Sequence, residues 1–410
     1  MRPPSHASGL LVLLTGFLVL AAGGLVGCSR EEPPADRDVA LDLALASEVG
    51  KHYAVVLREV YADVVKGAEQ LDGTVRVFTA LPSESGLERC RLAWVGARPA
   101  YLQSEVARFY DGPIDRASDG PEGDLNPWPL DESYIDAVEG APTGGFIGDP
   151  ERVPLIDEAF VRRANGDGGE ENIAAGWHAV EFMLWGQDRD PRGPGRRDWR
   201  DFADAGGLPH GERRRTYLRT LTRMIVADVS RVAAEWDADT GAYREEFLSV
   251  PPREQIRRIL TGAGTLAKGE LYGERMLVPY TSKAQEDEHS CFSDTTHLDH
   301  LHDLLGIVWV WTGRWTSPLD GRVVEGPGLR ALAMKRDPDL AKRIDAHLAR
   351  AEASLRDPHF QPFDRAIQGL DTDPGRACVR EVLSALQELD RDLSRLAAGF
   401  GLAIVTSLPG

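Results

Sequence analysis

Apolar residues recur three and four positions apart along nearly the whole of this chain, and that period restricts it to helices. From about Leu41 to Val77 the spacing is carried by Val55, Val56, Val60, Val64, Val65 and Ala68. A second helix starts near Ser85 and runs through Leu87, Cys90, Trp94 and Arg98 towards Phe109, and Pro99 should kink or break it. Further helices read from Ala175 to Trp185, with Asn172 as N-cap, and from Glu212 past Val232. Others read from Pro252 to Leu277, His297 to Thr312, Gly328 to Arg356 with a break near Asp337-Pro338, and Cys378 to Gly399. No convincing strand alternation or Asn-Gly hairpin signal appears. An all-α fold is therefore expected, with a helical bundle in each half. The stretch 111–150, rich in Gly, Pro and Asp, is too long for an ordinary loop and should pack down through Trp128, Leu130, Tyr134 and Ile135.

The first residues set the compartment. An apolar run from Leu10 to Val26 follows Arg2 and closes on Gly27-Cys28, a small residue and then Cys. This pattern fits a lipoprotein signal peptide over 1–27, cleaved before a lipidated Cys28, better than a membrane anchor. Residues 28–40 then read as a polar tether, 41–210 as an N-terminal helical domain and 211–405 as a C-terminal one. The expected place is the cell envelope, on the periplasmic face or outer surface of a membrane. Acidic residues outnumber basic ones 65 to 47, for a formal charge of −18, and no basic cluster carries interleaved aromatics. Nucleic acid is not an expected partner. Apart from Cys28 there remain Cys90, Cys291 and Cys378, an odd number without a CxxC spacing. One disulfide, Cys291–Cys378, with one spare thiol is the expectation.

Candidate chemistry falls in three places. His178 and Glu181 follow Gly176 at positions that share a helix face, where an imidazole and a carboxylate can converge on one cation. Trp177, Val180, Phe182, Met183, Leu184 and Trp185 surround them, so the pair should be buried and needs a partner or an ion. Glu286, Glu288, His289 and Asp294 form a second group, ahead of His297, Asp299, His300, His302 and Asp303. Five of the ten histidines thus lie at 178, 289, 297, 300 and 302, and carboxylate with imidazole suits iron, manganese or zinc. Asp294 could instead cap the helix that starts near Thr295. The third group is Arg98, Tyr101 and Glu105, where Arg98 could pair with a buried carboxylate or bind an anionic group of a ligand. A nucleophile elbow, a phosphate loop and the zinc-peptidase patterns HExxH and HxxEH are missing, Phe182 standing where the last needs His.

These segments resemble the imelysin family. GWHAVEFMLWGQD (176–188) carries its GxHxxE signature, and AWVGARPAYLQSEVARFYDGPID (93–115) resembles its N-terminal helix with Arg98, Tyr101 and Glu105. NPWPLDESYID (126–136) resembles its loop, and GERMLVPYTSKAQEDEHSCFSDTTHLD (273–299) resembles the iron-regulated protein A branch. The resemblance implies two helical-bundle domains of a duplicated four-helix-bundle type, a site in the cleft between them and a part in iron acquisition. The expected function is binding of a metal, iron before zinc, by His178 and Glu181 with Glu288 and His289. Gly176, Arg98, Tyr101, Glu105, Glu286 and Asp294 are expected around them, with an envelope iron-uptake system as partner. A zinc-dependent peptidase and a siderophore-, haem- or protein-binding module are the alternatives.

Overall fold

Asp42 starts the first helix, α1 (Leu43–Ala80), by accepting hydrogen bonds from the Ala44 and Leu45 N–H groups at 3.1 and 3.0 Å. One face of α1 is buried through Val49, Tyr53, Val56, Val60, Val64, Ala68, Leu71 and Val75, a spacing of three and four that makes a continuous apolar stripe. After a short turn, α2 (Glu84–Ser104) packs back along it. Gly67 lets the two backbones approach closely, since a Cβ there would stand 3.1 Å from Ala97 Cα. Pro99 does not stop α2, which runs on to Ser104 and ends in a tight turn over Glu105–Ala107. The computed structural model describes residues 41–190 and 193–408. The expected signal peptide and tether, with Cys28, lie outside them.

Residues 108–175 hold only short helical turns, yet Leu125, Ile135, Phe146 and Ile147 are buried. The stretch is anchored by Asp136, which is wholly buried and accepts from Arg197 at 2.9 Å and from both arms of Arg214 at 2.7 Å. Helix α3 (Gly176–Trp185) follows, with all ten residues buried. Ala175, not Asn172, occupies its N-cap, with no capping side chain, and the Asn172 amide instead donates to the Asp167 carbonyl at 2.7 Å. A helix that starts inside the protein can satisfy its first N–H groups without a polar surface cap.

In the second half, α4 (Gly211–Glu235) and α5 (Pro252–Thr265) both pack on α1. From Leu266 to Leu277 the chain continues α5 as a π-helix, a rare form frequent at functional sites. Helix α6 (Thr296–Thr312) lies against α2 and this π segment. Its N-cap is Thr295, and Asp294, at φ +56°, makes no capping bond. A hairpin follows, β1 (Arg314–Thr316) against β2 (Val323–Glu325), with Trp315 opposite Val324. It is an exception to the all-helical expectation, and three-residue strands are too short to show alternation in the sequence. The sequence break at Asp337 is real. Helix α7 (Leu329–Arg336) ends there and α8 (Pro338–Leu355) begins, before α9 (Pro374–Gly399) packs along α8.

Contacts therefore run from α1 into both halves of the chain, and the described residues form one compact, mostly helical unit. Among them no helix is long and apolar enough to cross a membrane. Cys90, Cys291 and Cys378 are all free thiols, so the expected Cys291–Cys378 bridge is not formed.

Candidate functional site

Gly176 fixes how α3 enters the core. Its φ is +86°, and a Cβ there would meet the Leu125 carbonyl oxygen at 2.4 Å. Only glycine allows this turn against the 122–127 segment. The next residue, Trp177, gives its carbonyl to the Trp94 indole N–H at 3.0 Å, which ties α3 to α2. One turn of helix then sets His178 Nδ1 2.9 Å from Glu181 Oε2. The other oxygen, Oε1, accepts from the Ser293 N–H at 2.9 Å and the Ser293 hydroxyl at 2.7 Å.

His289 comes from the opposite half of the chain. Its segment is held by the Trp128 indole, which donates to the Glu288 carbonyl at 2.8 Å, and by the Ser290 N–H, which donates to Thr296 Oγ1 at 2.9 Å. His289 Nδ1 stands 2.7 Å from Asp299 Oδ2 on the first turn of α6. The same oxygen accepts from Arg98 Nη2 at 3.2 Å and from the Ser290 hydroxyl. Arg98 also donates to Asn126 Oδ1 at 2.9 Å, and its guanidinium is caged by Trp94, Tyr101 and Trp177, within 5.9 Å of each ring centre. The Asn126 amide nitrogen lies 3.3 Å from His289 Nε2. The two imidazoles meet edge to face, with centroids 4.5 Å apart and Nε2 to Nε2 at 3.2 Å.

Burial governs the charges here. It holds His178 well below the usual histidine range, helped by the neighbouring His289 ring, and brings His289 down to about 4, with Arg275 assisting. Both rings are therefore neutral at pH 7, and the His178–Glu181 contact is a hydrogen bond, not an ion pair. Burial pushes Glu181 up to about 8 despite its two bonds from Ser293. Burial also raises Asp299, but Arg98, the His289 ring and Ser290 outweigh it and keep that carboxyl well below the ordinary value. A protonated Glu181 can donate to His178 Nδ1, His178 to His289 Nε2, and His289 Nδ1–H to Asp299, which satisfies the whole chain. Once Glu181 ionises it takes the Nδ1–H of His178. Two Nε2 lone pairs then face each other across 3.2 Å, with the Asn126 amide as the donor near one of them, an arrangement that a cation beside both nitrogens would stabilise.

The structure thus unites Gly176, His178, Glu181, His289 and Arg98. Tyr101 contributes its ring, tilted by 51° against Trp177 with the centroids 5.6 Å apart, while its buried hydroxyl has no hydrogen-bond partner. Glu105 belongs to a neighbouring group, paired with Arg108 at 3.3 Å and with Arg275. Glu288 gives the site its main chain only, and its side chain joins a separate acidic group with Asp294, approached by the exposed Glu286. His300 is spent on the Arg275 carbonyl at 3.0 Å and His302 pairs with Gln103 at 3.1 Å, so neither reaches the imidazole pair. Asn126, Ser290, Ser293 and Asp299 were not singled out as site residues by spacing. Only Asp299, amid the histidines of 289–302, stood in a pattern that could have flagged it. Among the described residues no three or more His, Cys, Asp or Glu side chains already surround a point fit for a metal ion. A polar cavity of about 190 Å³ opens onto His289, lined by Arg108, Glu122, Asn126, Trp128, Glu270 and Arg275.

The chain is 23% identical over 308 residues to "Iron-regulated protein A" of Synechococcus elongatus, covering 72% of this chain and 70% of that protein. The fold matches the crystal structure of a protein described as an iron-regulated protein A precursor from Parabacteroides distasonis, with a TM-score of 0.68 and 19% identity over 90% of this chain and 98% of that one. It also matches an imelysin-like protein from Psychrobacter arcticum, with a TM-score of 0.61 and 15% identity over 90% of this chain and 99% of that one. The Imelysin family (Peptidase_M75) matches residues 57–393, which include every residue of the imidazole site, and this chain belongs to that family.

Proposed function

We propose that the protein binds a metal ion, iron first, through Nε2 of His178 and His289. The observation that carries this reading is the opposed pair of Nε2 atoms at 3.2 Å, each ring backed at Nδ1 by a carboxyl group, with Glu181 giving up its proton as the ion binds. Carboxylates in that position set the tautomer and make the imidazole a better ligand. Glu181 and Asp299 then act as supports, and solvent in the adjoining cavity can complete the ion's coordination. Two protein ligands suit an ion that is handed on more than one that is kept, since structural metal sites generally use four. Iron acquisition is supported by the name of the Synechococcus relative. We read the chain as an exported lipoprotein anchored at Cys28, working beside an envelope iron-uptake system, with the ion held between two helical-bundle halves. That the site draws Arg98, Asn126, His178 and Glu181 from one half and His289 and Asp299 from the other favours this. Fractionation of a Cys28→Ser variant checks the anchor, and unchanged membrane association together with unchanged processing would refute it.

The runner-up is a zinc-dependent peptidase, which the family's name suggests. A peptide bond would have to approach His289 through a cavity of only about 190 Å³. Titrating iron and zinc into wild type, His178→Ala and His289→Ala, with bound metal and melting temperature as readouts, tests the main reading. Each alanine should weaken binding by at least about tenfold, because changes to residues behind a ligand already cost 10–100-fold. Wild type should gain thermal stability on adding the ion. Equal uptake by all three proteins would remove the imidazole pair from the function.

A further inference from the structure

Asn126 touches both the imidazole pair and the cavity that opens onto it. It ends the short helical turn Glu122–Leu125, its N–H donating to the Glu122 carbonyl at 2.9 Å. Gly176 lets that turn lie against the start of α3, because the missing Cβ leaves room for the Leu125 carbonyl. The Trp128 indole, two residues on, ties the same stretch to the main chain just before His289. Asn126 is thus pinned between the two segments that carry the imidazoles, and only 6% of it is exposed.

The orientation of its amide follows from its neighbours. Arg98 Nη1, 2.9 Å away, can only donate, so the atom facing it is Oδ1. The amide nitrogen then points to His289 Nε2 at 3.3 Å. His289 carries its proton on Nδ1, 2.7 Å from the Asp299 carboxylate, so Nε2 offers a lone pair and the Asn126 N–H donates to it. That lone pair is the one a metal ion needs. A turned-over amide would set its NH2 group against the guanidinium, two donors facing each other. Arg98 therefore bars the Asn126 oxygen from turning towards His289 as a ligand. Arg98 itself is fixed by Asp299 at 3.2 Å and by the rings of Trp94, Tyr101 and Trp177.

We propose that Asn126, locked in this orientation by Arg98, is an affinity-determining residue that competes with the ion for His289 Nε2 and so weakens the ion's hold. The inference rests on the imidazole reading of the site and adds to it the means of release. An incoming ion breaks the bond between the amide and Nε2, and the buried N–H must then find solvent in the adjoining cavity. When the ion leaves, the amide returns to Nε2 without searching, because its oxygen has stayed on Arg98. Exchange of one ordinary hydrogen bond shifts such an equilibrium about threefold to tenfold.

The test is anoxic titration of ferrous iron into chelator-treated full-length protein, with Kd from calorimetry and melting temperature measured beside it. Asn126→Ala removes the competing N–H and should lower Kd about threefold to tenfold, whatever it does to the melting temperature. Asn126→Asp keeps an oxygen for Arg98 and replaces the N–H by a second oxygen, so it should bind the ion more tightly still. It also gives the reading if the alanine variant does not fold. A purely structural asparagine would cost melting temperature in the alanine variant and leave Kd unchanged or raise it. An unchanged or raised Kd in Asn126→Ala, or in Asn126→Asp where alanine does not fold, overturns the proposal while the imidazole reading stands. No iron uptake by wild type removes the imidazole reading and this inference with it, so the two failures give different patterns.

Discussion

At the scale of single residues, the site depends on groups that do not themselves face an ion. Gly176 is the sharpest case. An alanine there would adopt φ +86° and place its Cβ 2.4 Å from the Leu125 carbonyl oxygen and 2.9 Å from Pro127 Cδ. Backbone strain of that kind costs about 1–3 kcal/mol on its own. With the clash added, Gly176→Ala should lower unfolding stability by about 3 kcal/mol or more in urea titration, and a loss under about 1 kcal/mol would show that the helix start can shift. Arg98 is the second case. The sequence offers it as a counter-ion for some buried carboxylate or for an anionic group of a ligand. The structure pairs it with Asp299, 201 positions away in the chain, and leaves Glu181 to Ser293 and His178.

At the scale of elements, helix ends were legible where a polar side chain caps at the surface and illegible where they are buried. Asp337 both ends α7 and accepts from the Leu340 N–H at 3.0 Å to start α8, just as Asp-Pro suggests. Asp337→Ala should cost about 1 kcal/mol in global stability, whereas Asp337→Asn should stay close to wild type because asparagine caps as well as aspartate. Equal losses in chemical denaturation would mean that the charge matters rather than the capping bond. The starts of α3 and α6 went the other way. Asn172 and Asp294 have the right chemistry, but the chain enters both helices from the protein interior, and neither side chain reaches the first turn. The π-helical run from Leu266 to Leu277 had no signature either, since its apolar spacing blends with that of α5. It carries Arg275, whose guanidinium serves Glu105, Glu270 and Asp303 and whose carbonyl holds His300.

For the whole molecule, the buried charge network sets the response to pH. Burial pushes Glu122 up to about 7, with Glu105 and Glu270 adding to it and Arg108 opposing it from 3.0 Å. In the unfolded chain this carboxyl loses its proton near its ordinary value, so between about pH 5 and 7 the folded protein holds one proton more. Raising pH through that window therefore lowers stability, and the effect is complete above the folded value. A shift of this size would correspond to about 3 kcal/mol, which we reduce to about 1–2 kcal/mol because 23% of the side chain is exposed. Glu122→Gln should flatten the decline between pH 5 and 8 in denaturant titrations, and an unaltered slope would assign the decline to other groups. Asp303, pushed up by burial while Arg275 also serves Glu105, contributes in the same direction.

Amino-acid order alone determined that this chain is helical, because a period of three to four apolar residues can bury a face only as a helix. It also determined that His178 and Glu181 meet, since one turn of helix brings them together wherever that helix lies. Family motifs carried the rest of what could be read, and they named His289, Arg98 and Gly176. Tertiary structure alone decided that His289 completes the pair, that Asp299 and not Glu288 stands behind it, and that Asn126 and Ser293 supply the remaining bonds. These contacts join residues 10 to 201 positions apart. No local period reports such separations, because they depend on how α2, α3 and α6 are packed, and a one-residue difference in chain position, as between Glu288 and His289, turns a side chain to different neighbours.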